Sequence, residues 1–596
     1  MRAVGESLVK AGTIEDIQRQ GNMVITAGRH GIVLFSHDGT ISAVDNRCPH
    51  MGFPLSRGSV CDGILTCHWH HARFDLRSGG TFDPFADDVR SYPVQIIDGE
   101  VWVDTRPHEG DQLRRWKRRL EDGLEQNLSL VIVKSVLALL DLGVPPADIL
   151  NIGGTFGTRY RDRGWGPGLT ILTALGNVLG TLAPEDQALA LYHGLVHVAR
   201  DCAGEAPRFG LDPLPDTGVS PERLKAWFRQ FVEVRDTEGA ERTLLTAISA
   251  GMSSPAIADM LLAAATDHYF LAGGHTLDFI NKACELLDHI GWERASDVLP
   301  SLIRGLCQSQ RSEEQNAWRH PIDLVALLHD AFKQLPALME RDGGADVAVT
   351  TPQSIEPLAE LLLGDDPRRS MTALLSALEE GASITTLSQT LAYAAVLRVA
   401  RFHTSNEFGD WITVLHTFTY CNALHQSLRR APSPELARGI FHGAMKLYLD
   451  RFLNMPAAAL PSQRVLEREP ETSPDLRKKL LELMDREQQV HASAAVTYRH
   501  LVQGLPTEPL LATLGHTLLR EDAEFHSYQM YEAGITQYGQ LQVAQPDASG
   551  KVLVAVARYL AAHAPTSRAM LQTARSALRL HRGEELHTVA EGEDSQ

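Results

Sequence analysis

The hydrophobic period of the chain changes once. From Met23 to Val103, apolar residues come in short β-branched runs, MVITAG, GIVLFSHDGTISAV, GILTC and YPVQIIDGEVWV, broken by Gly, Asn and Asp. Asp38-Gly39 and Asp98-Gly99 stand between such runs as hairpin turns, so the pattern predicts a small antiparallel β domain. After Asp104 the alternation stops. The charged stretch TRPHEGDQLRRWKRRLEDGLEQ leads into segments with a period near 3.6, such as LSLVIVKSVLALLDLG and DLRKKLLELMDREQQVHASAAVTYRHLV. Everything from about 120 to 590 is expected to be helical. Ser220-Pro221-Glu222 and Ser473-Pro474-Asp475 mark helix starts, each a cap followed by proline and an acid. The expected fold is multidomain, a small all-β domain followed by a large all-α domain. Its boundaries are read as a β domain over 1–106, a charged linker over 107–125, helical half-repeats over 126–345 and 346–590, and an acidic tail over 591–596.

Composition narrows the function. The 596 residues are too many for one core and predict two to four units at roughly 100 to 200 residues each. A net charge of −18 argues against broad nucleic-acid or anionic-membrane binding, because either would bring an acidic surface against phosphates. A small-molecule substrate or a protein electron donor is expected instead. The opening MRAVGESLVKAG lacks the apolar core of a secretory signal, and no apolar run reaches the 18 residues that a membrane span needs, so a cytoplasmic location is expected. Seven scattered cysteines do not form a disulfide framework.

Two of them sit in a motif. Cys48-Pro49-His50-Met51-Gly52 is followed, with sixteen residues between His50 and Cys67, by Cys67-His68-Trp69-His70. Each half offers one thiolate and one imidazole, as a [2Fe–2S] cluster requires when one iron takes both sulfurs and the other both nitrogens. Structural zinc uses the same ligand types and is the alternative. The surrounding NRCPHMGFPLSRGSVCDGILTCHWHHARFDLRSG resembles the Rieske ferredoxin and oxygenase family, through Phe74-Asp75 and Gly79. The resemblance implies a one-electron carrier with Cys48, His50, Cys67 and His70 as cluster ligands. High-potential respiratory members carry an additional cysteine in each cluster loop; these loops have none, which favours the ferredoxin or oxygenase kind. Where relatives commonly read Cys-Pro-Trp-His-Gly, this chain reads Cys67-His68-Trp69-His70-His71. The two further histidines are read as exposed loop residues.

The helical region suggests an internal duplication. His193-Gly194, Asp201 and Pro207 recur at identical spacing as His442-Gly443, Asp450 and Pro456, and Gly274-His275-Thr276-Leu277 resembles Gly515-His516-Thr517-Leu518. The offsets are about 240 to 255 residues. Histidines kept in both halves are candidates to converge on a metal, although any one of the 25 histidines also fits packing or surface roles. LYHGLVHVARD, LHTFTYCNAL and GHTLDFI resemble the histidine motifs of the questin oxidase-like family. Those are all-helical proteins that cleave or oxygenate polyketide-derived aromatic rings, some with a non-haem iron on four histidines and a carboxylated lysine. The resemblance implies His197, His275, His416 and His516 with carbamylated Lys446 as a mononuclear iron site, and His193 and His442 as substitutes. An ordinary helix-surface lysine is the alternative for Lys446.

The expected function is that of an oxidoreductase, an O2-dependent oxygenase acting on an organic small molecule, aromatic ones included, with the cluster feeding electrons to a non-haem iron. The facial-triad motif Asp-x2-His-x4-His of ring-hydroxylating oxygenases is not found. Neither is a Gly-x-Gly-x-x-Gly opening a βαβ unit, so an external NAD(P)H-dependent or ferredoxin reductase is the expected partner, in a homo-oligomer. The alternatives are a ferredoxin-type electron-transfer protein fused to a partner-binding scaffold, and a redox sensor.

Overall fold

The structure is a computed structural model, and it describes residues 8–27, 31–106, 112–215, 218–341, 354–454, 456–462, 471–584 and 586. The chain divides into two compact units, 1–145 with 569–596, and 146–568.

Among its described residues, the first unit opens with ten strands: β1 (Leu8–Thr13), β2 (Asn22–Ile25), β3 (Ile32–His37), β4 (Thr40–Asp45), β5 (Ser59–Cys61), β6 (Ile64–Thr66), β7 (Arg73–Asp75), β8 (Ser91–Tyr92), β9 (Val94–Ile97) and β10 (Glu100–Asp104). They form three antiparallel sheets, ordered β1-β10-β9, β2-β3-β4-β8 and β5-β6-β7. Period-two alternation places the two faces of β3 in different cores. Ile32 and Leu34 pack with Ile17, Val101 and Val103, whereas Val33 and Phe35 pack with Leu55, Leu65, Phe74 and the two motif cysteines. Both expected hairpin turns are present with positive φ at both residues, 49° and 74° at Asp38-Gly39 and 50° and 81° at Asp98-Gly99. Asp62-Gly63, at 48° and 75°, makes a third between β5 and β6.

The stretch expected to be a linker is ordered over its described part. Gln112–Glu125 is a helix, followed by a second at Ser129–Asp141, and both belong to the first unit with the late helix Ala569–His581. The cause lies in sequence already visible: Leu120 and Leu124, four apart, are buried beneath the charged face of the first helix. The expected boundary at 345 and the acidic tail at 591–596 lie outside the described residues.

The second unit is helical. The helices that matter for the site are Pro167–Val178, Pro184–Cys202, His275–Ile290, Phe408–Arg430, Pro434–Leu449, Glu508–Leu519 and Phe525–Leu541. His193 and His442 lie on helices that both start with proline, at comparable depth. The GHTL pair does not correspond in the same way: His275 opens its helix after a left-handed Gly274, whereas His516 lies in the last turn of Glu508–Leu519. Among the described residues, no helix is long and apolar enough to cross a membrane.

Candidate functional site

Among the described residues, two clusters of ligand-type side chains emerge, one in each unit.

In the first unit, the loop after β4 and the loop after β6 are built as the same turn. Cys48 N–H donates to Phe53 O at 2.8 Å and Cys48 O accepts from Gly52 N–H at 2.8 Å; Cys67 N–H donates to Ala72 O at 2.9 Å and Cys67 O accepts from His71 N–H at 3.0 Å. The turn requires a left-handed residue, supplied by Gly52 at φ 86° and by His71 at φ 59°. Gly79 is needed for a different reason, since a Cβ there would collide with Val89 O.

Both cysteines are buried and their thiols face each other. The Cys67 thiol is pulled down to about 6, chiefly by the hydrogen bond with Cys48 and with help from the Trp69 and His70 amides, while Cys48 is pushed up by Cys67 and burial. The His50 and Met51 amides aim at the Cys48 sulfur and favour its thiolate. The imidazoles of His50 and His70 stand edge to face, 4.9 Å between centroids, with Phe85 against His50 at 5.0 Å and Trp69 against His70 at 4.4 Å. His50 Nδ1 is buried without a hydrogen-bond partner, and burial, then the charge of Lys134, pushes the ring down to about 4. Two thiolate-stabilising loops facing two imidazoles, that of His50 held uncharged by burial and with an orphaned nitrogen, fit a [2Fe–2S] cluster. His70 is exposed and marks the edge of the site nearest solvent, and His68 and His71 are exposed as expected.

The cluster loop also has support that the motif does not announce. Lys134, on Ser129–Asp141 and 8% exposed, donates to Pro49 O at 2.5 Å, His50 O at 2.9 Å and Asp87 Oδ2 at 3.2 Å. Arg119 reaches the other Asp87 oxygen at 2.8 Å. Burial would raise Asp87, but Lys134 and Arg119 outweigh it and hold the carboxyl below the usual range.

In the second unit, His275, His416 and His526 come together with ligand nitrogens all within 4.8 Å of one another, the one such group among the described residues. His416 Nε2 and His526 Nε2 are 2.8 Å apart. Imidazole nitrogens about 2.1 Å from one metal stand about 3 Å apart at right angles, so the spacing fits a shared ion. Glu524 caps the helix that carries His526, accepts from its backbone N–H at 2.8 Å, and meets its Nδ1 at 2.7 Å. That contact holds the proton on Nδ1 and leaves the Nε2 lone pair facing His416, a carboxylate–histidine arrangement typical of metal ligands. Burial, then His526, pushes His275 down to about 4; burial, then His275, His526 and Lys446, pushes His416 well below its ordinary value. Near neutral pH both rings are therefore uncharged, the form that ligates.

Two expected ligands, His275 and His416, belong to this group. His526 was not anticipated, because it lies in no repeated segment; its signal was the acid two residues earlier at a helix start. The other histidine candidates make other contacts. His516 pairs with Asp186 at 3.0 Å. His193 Nδ1 is 2.7 Å from Tyr528 OH, and the His197 ring is 5.4 Å from the Tyr528 ring, two residues beyond His526. His442 is buried between Tyr269 and Phe332 at 4.7 and 5.4 Å. Lys446 forms an ion pair with Asp450, which also accepts from Thr417 Oγ1 at 2.5 Å beside His416.

Comparisons with known proteins bear on the first cluster. A family model, the Rieske [2Fe-2S] domain, matches residues 7–93. The ferredoxin component of the alkene monooxygenase system of Xanthobacter autotrophicus is 32% identical over 85 residues, 14% of this chain and 70% of that protein. The anthranilate 1,2-dioxygenase ferredoxin subunit of Burkholderia cepacia is 32% identical over 93 residues, 15% of this chain and 86% of that protein. The solved ferredoxin of carbazole 1,9a-dioxygenase from Nocardioides aromaticivorans is 21% identical, with TM-score 0.16, covering 17% of this chain and 100% of that one. The questin oxidase-like resemblance finds no support in these comparisons.

Proposed function

The chain belongs to the Rieske [2Fe-2S] family through its N-terminal domain, and on that premise we propose that the whole protein is an oxidoreductase using this domain's electrons for O2-dependent oxygenation in the helical unit. The substrate class is an organic small molecule. The observation that carries the reading is the convergence of His275, His416 and His526 from three separate helices, with Glu524 fixing the His526 tautomer.

Cys48, His50, Cys67 and His70 would hold the cluster, which supplies one-electron transfer when bound. His275, His416 and His526 would hold a mononuclear iron, which supplies a redox-active Lewis acid for O2 and substrate. The chain's own groups prepare that second position. Burial keeps His275 and His416 neutral, Glu524 keeps the His526 proton away from the metal side, and Phe279 and Phe525 lay apolar rings against His275 at 5.3 and 5.8 Å. Exposed His70 offers an approach for an external reductase.

The relatives favour a second reading, since two of them are ferredoxin components of oxygenase systems. In it the N-terminal domain delivers electrons to a separate enzyme that the helical unit docks. Iron and acid-labile sulfide per chain, measured on anaerobically purified protein with EPR after dithionite reduction, separate the two. The oxygenase reading expects a third iron beside the two of the cluster. His416→Ala should remove it while the reduced Rieske signal stays. Two irons, two sulfides and no further metal would overturn the oxygenase reading and leave electron transfer.

A further inference from the structure

Below the three histidines, the helical unit carries charge where a core would be expected to be apolar. On His275–Ile290, the positions 275, 278, 282, 285 and 289 repeat at alternating steps of three and four, one face of one helix, and read His, Asp, Lys, Glu, His. On Phe525–Leu541, the positions 526, 529, 532 and 536 read His, Gln, Glu, Thr. The two faces meet. Gln529 donates to Asp278 one turn beneath the His275 and His526 ligands. Lys282 Nζ then lies 2.7 Å from Glu532 Oε2 and 2.8 Å from Glu285 Oε2. Asn177 donates to Glu285 at 2.7 Å and to Glu532 at 2.9 Å, and its carbonyl meets His289 Nε2 at 2.8 Å. Asn177, Glu285, His289 and Glu532 line a surface cavity of about 480 Å³. Polar side chains therefore stand at each successive turn from below the histidine site to solvent, with Asp278 and Lys282 one helical turn apart and coupled through their charges.

Its charges do not cancel. Asp278, Lys282 and Glu532 are almost wholly buried, and three carboxylates face one ammonium. With every group ionised the cluster would hold two uncompensated negative charges, which a low-dielectric interior strongly disfavours. A proton is the available remedy. Burial pushes the Asp278 carboxyl up to about 7, against the opposing pull of Lys282 and with the added repulsion of Glu532 and Glu285; burial likewise raises Glu532. Lys282 stays charged, because the three carboxylates outweigh its burial. The charged groups facing Asp278 are thus Lys282 and Glu285 from its own helix and Glu532 from the neighbouring one. Gln529 Oε1 is buried without a partner and is free to accept from a protonated carboxyl or a water.

We propose that the Asp278–Lys282–Glu285–Glu532 group is a proton reservoir for the three-histidine site, taking one proton from solvent through the Asn177–His289 cavity each time that site gains one electron. The inference rests on the metal reading of His275, His416 and His526. The balance is simple: the electron comes from the reduced [2Fe–2S] cluster, which is oxidised by one electron, the proton comes from hydronium or protonated buffer in the solvent at the cavity, and the charge of the buried interior is unchanged. Protonation of Asp278 leaves its carboxyl neutral against Gln529, and reoxidation returns the proton by the same route.

Two measurements on the full chain test it. Difference infrared spectroscopy of metal-free protein should show a protonated carboxyl that titrates near neutrality and disappears in Asp278→Asn. Its absence from the unsubstituted protein would overturn the reservoir whatever the metal content. In iron-loaded protein, the midpoint potential of the mononuclear site, followed by its high-spin ferric EPR signal, should fall as pH rises through neutrality, and Asp278→Asn should flatten the dependence. Glu532→Gln, which removes one repelling carboxylate, should move the same dependence to lower pH. A flat profile in the unsubstituted protein, or an unaltered slope in both variants, would overturn the proposal. A titrating carboxyl with no third iron per chain would overturn the metal reading, and the electron coupling with it.

Discussion

Two residues of the first unit show how a side chain acts through the backbone of a cluster loop. His71 occupies a left-handed position that Gly52 occupies in the equivalent turn, and a Cβ in that region costs about 1 kcal/mol. His71→Gly should therefore stabilise the holo-protein by about 1 kcal/mol, seen as a higher midpoint for thermal bleaching of the cluster; an unchanged or lower midpoint would show that the imidazole makes a compensating contact. Lys134 places an ammonium on the carbonyls of Pro49 and His50. Reduction adds one negative charge to a cluster there, so the ammonium favours the reduced state. Lys134→Met should lower the cluster potential by some tens of millivolts, at about 59 mV per tenfold for one electron, with iron content unchanged. A potential that stays put or rises would remove Lys134 from the redox account. Neither effect could be read from the motif. His71 looked like a mere departure from a family pattern, and Lys134 lies 85 residues from Pro49.

At the scale of elements, legibility followed the range of the interaction. The strands and the Asp-Gly turns were readable because alternation and left-handed φ are set by neighbours, and the candidate ligands Cys48, His50, Cys67 and His70 could be named because both loops carry their chemistry locally. The third turn, Asp62-Gly63, was missed only because β5 and β6 are three residues each, too short to show alternation. In the helical unit the period gave helices but not which faces meet. His275 and His416 were named from local motifs, whereas His526 joins them across 110 residues from His416. The repeat that drew attention to His516 is an identity of letters at different helical positions, one opening a helix and one ending another. The buried face Asp278–Lys282–Glu285 looks in sequence like an exposed i, i+4 stripe, since charge on a helix ordinarily means solvent. Only the packing of a second polar face reverses that meaning.

At the scale of the molecule, the first unit takes its residues from both ends of the chain, 1–145 and 569–596, a fact no local pattern carries. Arg47, beside Cys48, donates to Leu580 O at 3.2 Å and to Glu584 O, contacts 533 and 537 residues apart in sequence. Gly52, the turn residue of the same loop, lies so close to Leu580 that a Cβ would come within 3.3 Å of it. The cluster loop is thus braced by the Ala569–His581 helix and its following turn. A chain ending at Arg568 keeps the four candidate cluster ligands and the three histidines of the second unit, but loses that brace. Two hydrogen bonds contribute about 1 to 3 kcal/mol together, so the rate of cluster loss to a chelator should rise on the order of tenfold, followed as bleaching of the visible absorbance. The EPR signal of the intact cluster should be little altered at zero time, since no ligand is removed. Equal loss rates in the full and shortened chains would mean that the β domain holds its cluster without the C-terminal helix.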